Sequence, residues 1–357
     1  MQVTDWPTTM PEFLARFGSN RLCRDHVFER RWPDGFSCER CRHRRCYWLA
    51  TKSNVCECAG CGRQVSILTG TIFEQTKTGL STWFLAIYLF ASSKGGISAL
   101  ELQRQLGFKS NQTAWVWLLK IRAAMAVRGA PLEGRVEVDE TYLGGSEPGK
   151  RGRHASRAGH DGAAGEIMVA GAVETRSVPV TATDPARLNG DARKRAEGVL
   201  ARLAEGLETG LSPTRRRLGR VRLGCLGDAS AKTLQHFMKA SIAAGATIVS
   251  DGWRGDLGAA NNGDAHQRII VSKTAAKARE ILPGPHLIFA LVKRLLLGTY
   301  HGGVGKRHFG AYLDEYIFRF NRRGAPPAGR AMRLIDRALT TQPLAIRMIF
   351  ARPESAA

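Results

Sequence analysis

The chain carries two kinds of hydrophobic pattern in succession. Over residues 81–128 apolar positions recur at helical spacing, and from residue 135 they shift to short apolar runs separated by a helix. The first region predicts three helices. Ser81 is the expected N-cap of STWFLAIYLFASS, Gly95 and Gly96 break the chain, and SALELQRQLGF makes a second, shorter helix. The third starts at Asn111 and places Ala114, Trp117, Leu118, Ile121 and Met125 on one core-facing stripe. The short helix, the turn over 107–110 and the longer helix read either as a helix-turn-helix or as a packed helical pair. In the first case Lys109, Asn111 and Gln112, at the front of the third helix, have the chemistry to meet phosphates or base edges.

In the second region RVEVDETYL, EIMVAGAVET (166–175), VRLGCLG (221–227) and ATIVSDG (246–252) are expected strands, with the helix AKTLQHFMKASIAAG before the last. Three strands, a helix and a strand ending in an acid is the order of an α/β, RNase H-like fold. In VEVDETYLGG the acids Glu137 and Asp139 share one face, and Asp139 and Asp251 are each expected at a strand end. Residues 176–220, charged and helical in period, are expected as an insertion without an assigned role. The basic, Gly-rich stretch 147–165 reads either as a loop able to close on a phosphate backbone or as a solvated loop. Further on, Phe309, Tyr312, Leu313, Tyr316, Ile317 and Phe320 form the stripe of a core helix. Arg319, Arg322 and Arg323 are expected beside it as DNA contacts, and Asp314 and Glu315 as solvated charges.

Composition narrows the partners. Lys and Arg number 53 against 31 Asp and Glu in 357 residues, a net charge of +22, which points to nucleic acid. The length suggests two or three domains. No apolar run approaches a membrane span and MQVTDWPTTMPEF lacks the pattern of a secretion signal, so a cytoplasmic, nucleoid-associated protein is expected. Six of the eight cysteines fall within residues 38–61, a spacing of metal ligands rather than of disulfides. Cys38-x2-Cys41 and Cys58-x2-Cys61 predict four thiolates around one structural zinc in a ribbon with strands near 47–50 and 64–68. Cys56-x-Cys58 leaves a second register open.

VEVDETYLGG, IVSDGW, the tail GTYH…H…YLDEYIFRFNRR and a four-cysteine ribbon ahead of them resemble the DDE-type transposases of bacterial insertion sequences that begin with a zinc ribbon. The resemblance spans about residues 10–325, interrupted by 176–220. It implies an RNase H-like core that uses two Mg²⁺ or Mn²⁺ ions to cleave at transposon ends and join the freed 3′-OH to target DNA, working as a homo-oligomer assembled on those ends. It further implies Asp139 and Asp251 as metal ligands and a third ligand on a helix some 35 residues later, with a basic residue seven beyond. Those steps reach His286 and Lys293, where the commonest pattern has a glutamate; a capping or core histidine is the other reading of His286. The domains expected are a zinc ribbon with a helical lead-in (10–75), a helix-turn-helix-like module (78–130), the catalytic domain (134–325) and a helical tail (326–357). A non-catalytic DNA-binding regulator and a nuclease of the same fold are the alternative functions.

Overall fold

The computed structural model describes residues 6–126, 129–143, 167–179, parts of 190–201, 214–228, 230–250, 265–268, 282–345 and 349–350. The chain divides into two compact units, Met1–Arg128 with Gly144–Glu166 and Val292–Ala357, and Gly129–Leu143 with Ile167–Leu291.

The first unit opens with helices α1 (Met10–Phe17) and α2 (Asn20–Arg31), capped by Thr9 and Ser19, whose hydroxyls accept from the Glu12 and Leu22 amides. A three-stranded antiparallel sheet follows, β1 (Cys46–Leu49), β2 (Lys52–Cys58) and β3 (Gln64–Ser66), in the order β1-β2-β3. Helix α3 (Leu80–Ser92) is apolar almost all round and lies in the core. Ser81 is not its cap: Gly79 takes that position without a side-chain bond, and Asn20 Oδ1, from α2, accepts from the Ser81 amide and hydroxyl instead. Helix α4 (Ala99–Leu106) is capped by Ser98 and stopped by Gly107, whose φ of 66° is left-handed and suits glycine. Ser110 caps α5 (Asn111–Met125), whose five predicted stripe residues are all buried. Trp117 of α5 stacks on Trp83 of α3 with centroids 3.5 Å apart.

The end of the chain belongs to this same core. Helices α8 (Phe309–Asn321) and α9 (Pro327–Thr340) supply Phe318, Ala331, Met332, Leu334, Ile335 and Ala338 to the cluster formed by α3 and α5. Packing therefore draws no boundary at 325/326, where the sequence pattern suggested one, because α9 presents a small-residue apolar face to α3. Among the described residues no helix is long and apolar enough to cross a membrane.

The second unit is a five-stranded sheet of β4 (Arg135–Leu143), β5 (Ile167–Pro179), β6 (Thr214–Cys225), β7 (Thr247–Ser250) and β8 (Ala265–Arg268), ordered β6-β5-β4-β7-β8. The β4–β5 and β5–β6 pairs are antiparallel, whereas β7 runs parallel to β4 and β8 parallel to β7. Helix α6 (Ala231–Ser241) covers one face, where Leu234 and Met238 pack with Val136, Val138, Ala170, Ala172 and Ile248. Two features depart from the sequence reading. β8 was not expected, and β5 and β6 continue to 179 and 214, pairing Arg176 with Arg217 and Val178 with Arg215 inside the segment assigned to an insertion. Arginine-rich strand arms lack the apolar alternation by which a strand is recognised.

Candidate functional site

β4 sends alternate side chains to opposite faces of the sheet. Val136 and Val138 face the α6 side, while Glu137 and Asp139 share the other face with the start of helix α7 (Pro283–Gly298). Asp139 sits in mid-strand, paired with Gly171 of β5, rather than at the strand end anticipated from the sequence. The helix lies close to the sheet at this level: a Cβ on Gly171 would stand 2.8 Å from the Phe289 ring, so a larger residue there would have to displace that ring.

His286, in the first turn of α7, brings Nε2 to 3.8 Å from Asp139 Oδ2. Its side chain is 36 % exposed and that of Asp139 is 11 % exposed, so the pair opens to solvent on one side. Asp139 Oδ1 also accepts the Glu140 amide at 2.9 Å. Two ligand atoms bound to one divalent cation at about 2.1 Å stand about 3.0–3.8 Å apart for bond angles between about 90° and 130°, so the observed spacing fits a shared ion. Asp251, directly after Ser250 of β7, lies outside the described residues, as does the basic stretch 147–165. Lys293 is exposed two turns beyond His286 on the same helix.

In the first unit the sulfurs of Cys38, Cys41, Cys58 and Cys61 all lie within 4.8 Å of one another, with Cys38–Cys61 at 3.7 Å and Cys41–Cys58 at 3.5 Å. A tetrahedral zinc with bonds of about 2.3 Å sets its sulfurs about 3.8 Å apart, so this set could hold zinc. The Cys41 amide, then that of Arg40, points at the Cys38 sulfur and lowers its thiol to about 6. The His43 amide's lowering of Cys41 is outweighed by Cys61, burial and the other sulfurs, which push it up to about 12, so the crowded set favours one thiolate when no metal is bound. Cys56 stands apart from the four, with its thiol directed at the Val65 carbonyl, and burial pushes it up to about 12. Cys56 is thus not among the four sulfurs gathered here.

The expected DNA contacts separate into two groups. Lys109, Asn111 and Gln112 are exposed at the start of α5. Arg319 is instead turned inward and only partly exposed: its guanidinium donates to Glu315 and to the Ser93 and Phe90 carbonyls. Arg322 is half-buried over the Phe318 ring, and burial, followed by Arg337 and Arg333, lowers it to about 10; Arg323 is exposed and lies over Phe320. Glu315 is not a solvated charge either, being fully buried between Arg122, Tyr300 and Arg319. Local pattern missed a further group. Arg40, Arg42, Arg44 and Arg45 surround the first cysteine knuckle, all exposed and without an ion-pair partner among the described residues.

Residues 131–321 match the family described as ISXO2-like transposase domain, a span that contains β4, the α7 site and α8. The chain is also 28 % identical over 146 residues to an uncharacterized protein in transposable element ISH50 of Halobacterium salinarum, covering 40 % of this chain and 49 % of that protein. The chain thus spans about half the length of that curated relative. No solved structure matches. With more than half of its length in the family match, the chain belongs to the ISXO2-like transposases, insertion-sequence enzymes of the DDE type.

Proposed function

We propose that this transposase cleaves DNA at the ends of its insertion sequence and joins the freed 3′-OH to target DNA, using an RNase H-like core. The observation that carries the reading is the approach of His286 to Asp139 inside the family-matched segment. The sheet supports it: three antiparallel strands continue into two parallel ones, with β4 in the middle and a helix on each face. β7 is parallel to β4 with Val249 opposite Glu137, an arrangement consistent with this reading.

In this reading Asp139, Asp251 and His286 hold Mg²⁺ or Mn²⁺, and Lys293 meets a neighbouring phosphate. Bound divalent ions supply Lewis-acid stabilisation of the attacking and leaving oxygens of an in-line displacement. The 3.8 Å spacing of Asp139 and His286 supports ligands held ready before DNA arrives, and the exposed side of the pair is where the backbone would enter. The cysteine ribbon holds structural zinc, α4 and α5 act as a helix-turn-helix with Lys109, Asn111 and Gln112 toward DNA, and Arg323 adds a phosphate contact. Residues 10–75, 78–130 and 134–325 are the corresponding functional segments, in a nucleoid-associated enzyme that assembles as a homo-oligomer on transposon ends.

A strand-transfer assay with the element's own end sequences tests this. Joined products that require a divalent metal and Asp139 are expected. Cleavage without joining would identify a nuclease, and end binding without either would identify a regulator.

A further inference from the structure

Glu137 has no part in the chemistry above, yet its residue is completely shut off from solvent. Its Oε2 accepts the Gly284 amide at 3.0 Å. Glu137 and Asp139 are two apart on one face of β4, and Gly284 and His286 are two apart in the first turn of α7. The Glu137–Gly284 bond and the Asp139–His286 approach are therefore neighbouring rungs between the same two elements.

The local sequence makes the first rung specific. The first four N–H groups of a helix have no partner within it, and they form its positive end. At positions 283–286 two of the four residues, Pro283 and Pro285, have no N–H, so only Gly284 and His286 can donate. A buried carboxylate needs such a donor. Glycine at 284 lets it reach one: a Cβ there would lie 2.9 Å from Glu137 Oε2 and 3.3 Å from Val173 Cγ1.

We propose that Glu137 is a positioning residue of the metal site: it docks the N-terminus of α7 on β4 and so sets His286 at the distance from Asp139 that one divalent cation spans. The inference rests on the reading of Asp139 and His286 as ligands.

Mn²⁺ binding to the zinc-loaded full chain, followed by the loss of free-ion EPR signal, tests it together with hydrogen exchange over 282–291. The site is defined as the binding that Asp139→Ala and His286→Ala remove. Partners that orient metal ligands are commonly worth about 10–100-fold in affinity. Glu137→Ala is expected to weaken Mn²⁺ by about tenfold or more and to speed exchange at the Gly284 amide. Glu137→Gln keeps an acceptor and should stay within about threefold of wild type by the same scale. Gly284→Ala puts a methyl 2.9 Å from Glu137 Oε2 and 3.3 Å from Val173 Cγ1, which forces the carboxylate and the helix N-terminus apart, and should reproduce the loss, covering the case in which Glu137→Ala fails to fold. Val138→Ala, on the opposite face of β4, should lower the melting temperature without moving Mn²⁺ affinity. Wild-type affinity in folded Glu137→Ala or Gly284→Ala would overturn the role of Glu137 alone. Equal Mn²⁺ binding in wild type, Asp139→Ala and His286→Ala would remove the ligand assignment and this proposal with it.

Discussion

His286 Nε2 and Asp139 Oδ2 stand 3.8 Å apart, joining the first turn of a helix to the middle strand of the sheet. An imidazole adds no negative charge to a divalent ion and suits Mn²⁺ better than Mg²⁺. His286→Ala is expected to abolish cleavage and joining, as are Asp139→Ala and Asp251→Ala, with DNA binding unchanged in all three. His286→Glu should recover part of the Mg²⁺-dependent activity by restoring an oxygen ligand. Gel assays of cleavage in each metal read the result, and a fully active His286→Ala would end its assignment as a ligand.

Arg122 and Glu315 form an ion pair at 2.9 Å with both side chains almost wholly excluded from solvent. The Arg122 guanidinium also lies 3.9 Å from the Tyr312 ring centroid, while Tyr300 donates to Glu315. Removing one member of a buried pair typically costs about 3–5 kcal/mol, because the other charge is left without compensation. Glu315→Leu should therefore destabilise the chain severely, and Arg122→Met with Glu315→Leu together should recover much of the loss. Melting temperatures of the two singles and the double decide it; additive losses would show that the two side chains act independently.

That pair also shows where sequence reading reaches its limit. Glu315 looks solvated because the partner that buries it, Arg122, is 193 residues away, while its i+4 neighbour Arg319 reads as an ordinary surface pair on the same helix. The same holds for Arg319, which reads as a DNA-facing cation and is spent on two carbonyls of α3 and its end. By contrast the cysteine set was legible, because two CxxC turns 16 residues apart constrain where four sulfurs can go. His286 was reached only through a family spacing, and its neighbour Gly284 only through the structure, since a close approach of helix to strand leaves no periodic trace. The extended arms of β5 and β6 were hidden by their arginines for the reason already given.

One zinc per chain is expected on Cys38, Cys41, Cys58 and Cys61. Metal analysis should show it lost in Cys58→Ser and kept in Cys56→Ser, whose thiol faces the Val65 carbonyl. Since ligand loss unfolds small zinc modules, a strong chelator should reduce end binding along with the metal. Full zinc in Cys58→Ser would contradict the set.

DNA affinity should fall steeply with salt, by a slope of about 0.9 per phosphate contact. Arg40, Arg42, Arg44 and Arg45 are exposed around the knuckle, and Ser substitution of any two should make the slope shallower for end and random DNA alike. Lys109→Ala and Asn111→Ala, at the start of α5, should weaken end DNA more than random DNA. Equal losses on both substrates would reduce α5 to a backbone contact.

Glu174 sits at the bulge between β5 and β6, where the Glu133 and Arg220 amides and the Arg220 guanidinium surround its carboxylate. Burial pushes its pKa up, but the hydrogen bonds from Arg220 and from the Glu133 amide outweigh it and hold the group below its usual value of 4.5. A carboxylate lowered in the folded state contributes stability above its unfolded pKa and loses it as pH falls through the folded value. Protection of the β5 and β6 amides from exchange should therefore be flat above about pH 5 and drop below about pH 4, and Glu174→Gln should remove that acid limb. Arg220→Met should do more, destabilising the sheet at neutral pH as well. It removes the donor that compensates burial and frees the Ala130 and Pro131 carbonyls that Arg220 also holds. With the guanidinium gone, burial is opposed only by the Glu133 and residue-220 amides, so the Glu174 carboxyl should titrate higher than in wild type and the acid limb in Arg220→Met should be shallower. An Arg220→Met variant with wild-type protection at every pH would show that the backbone amides alone hold the carboxylate.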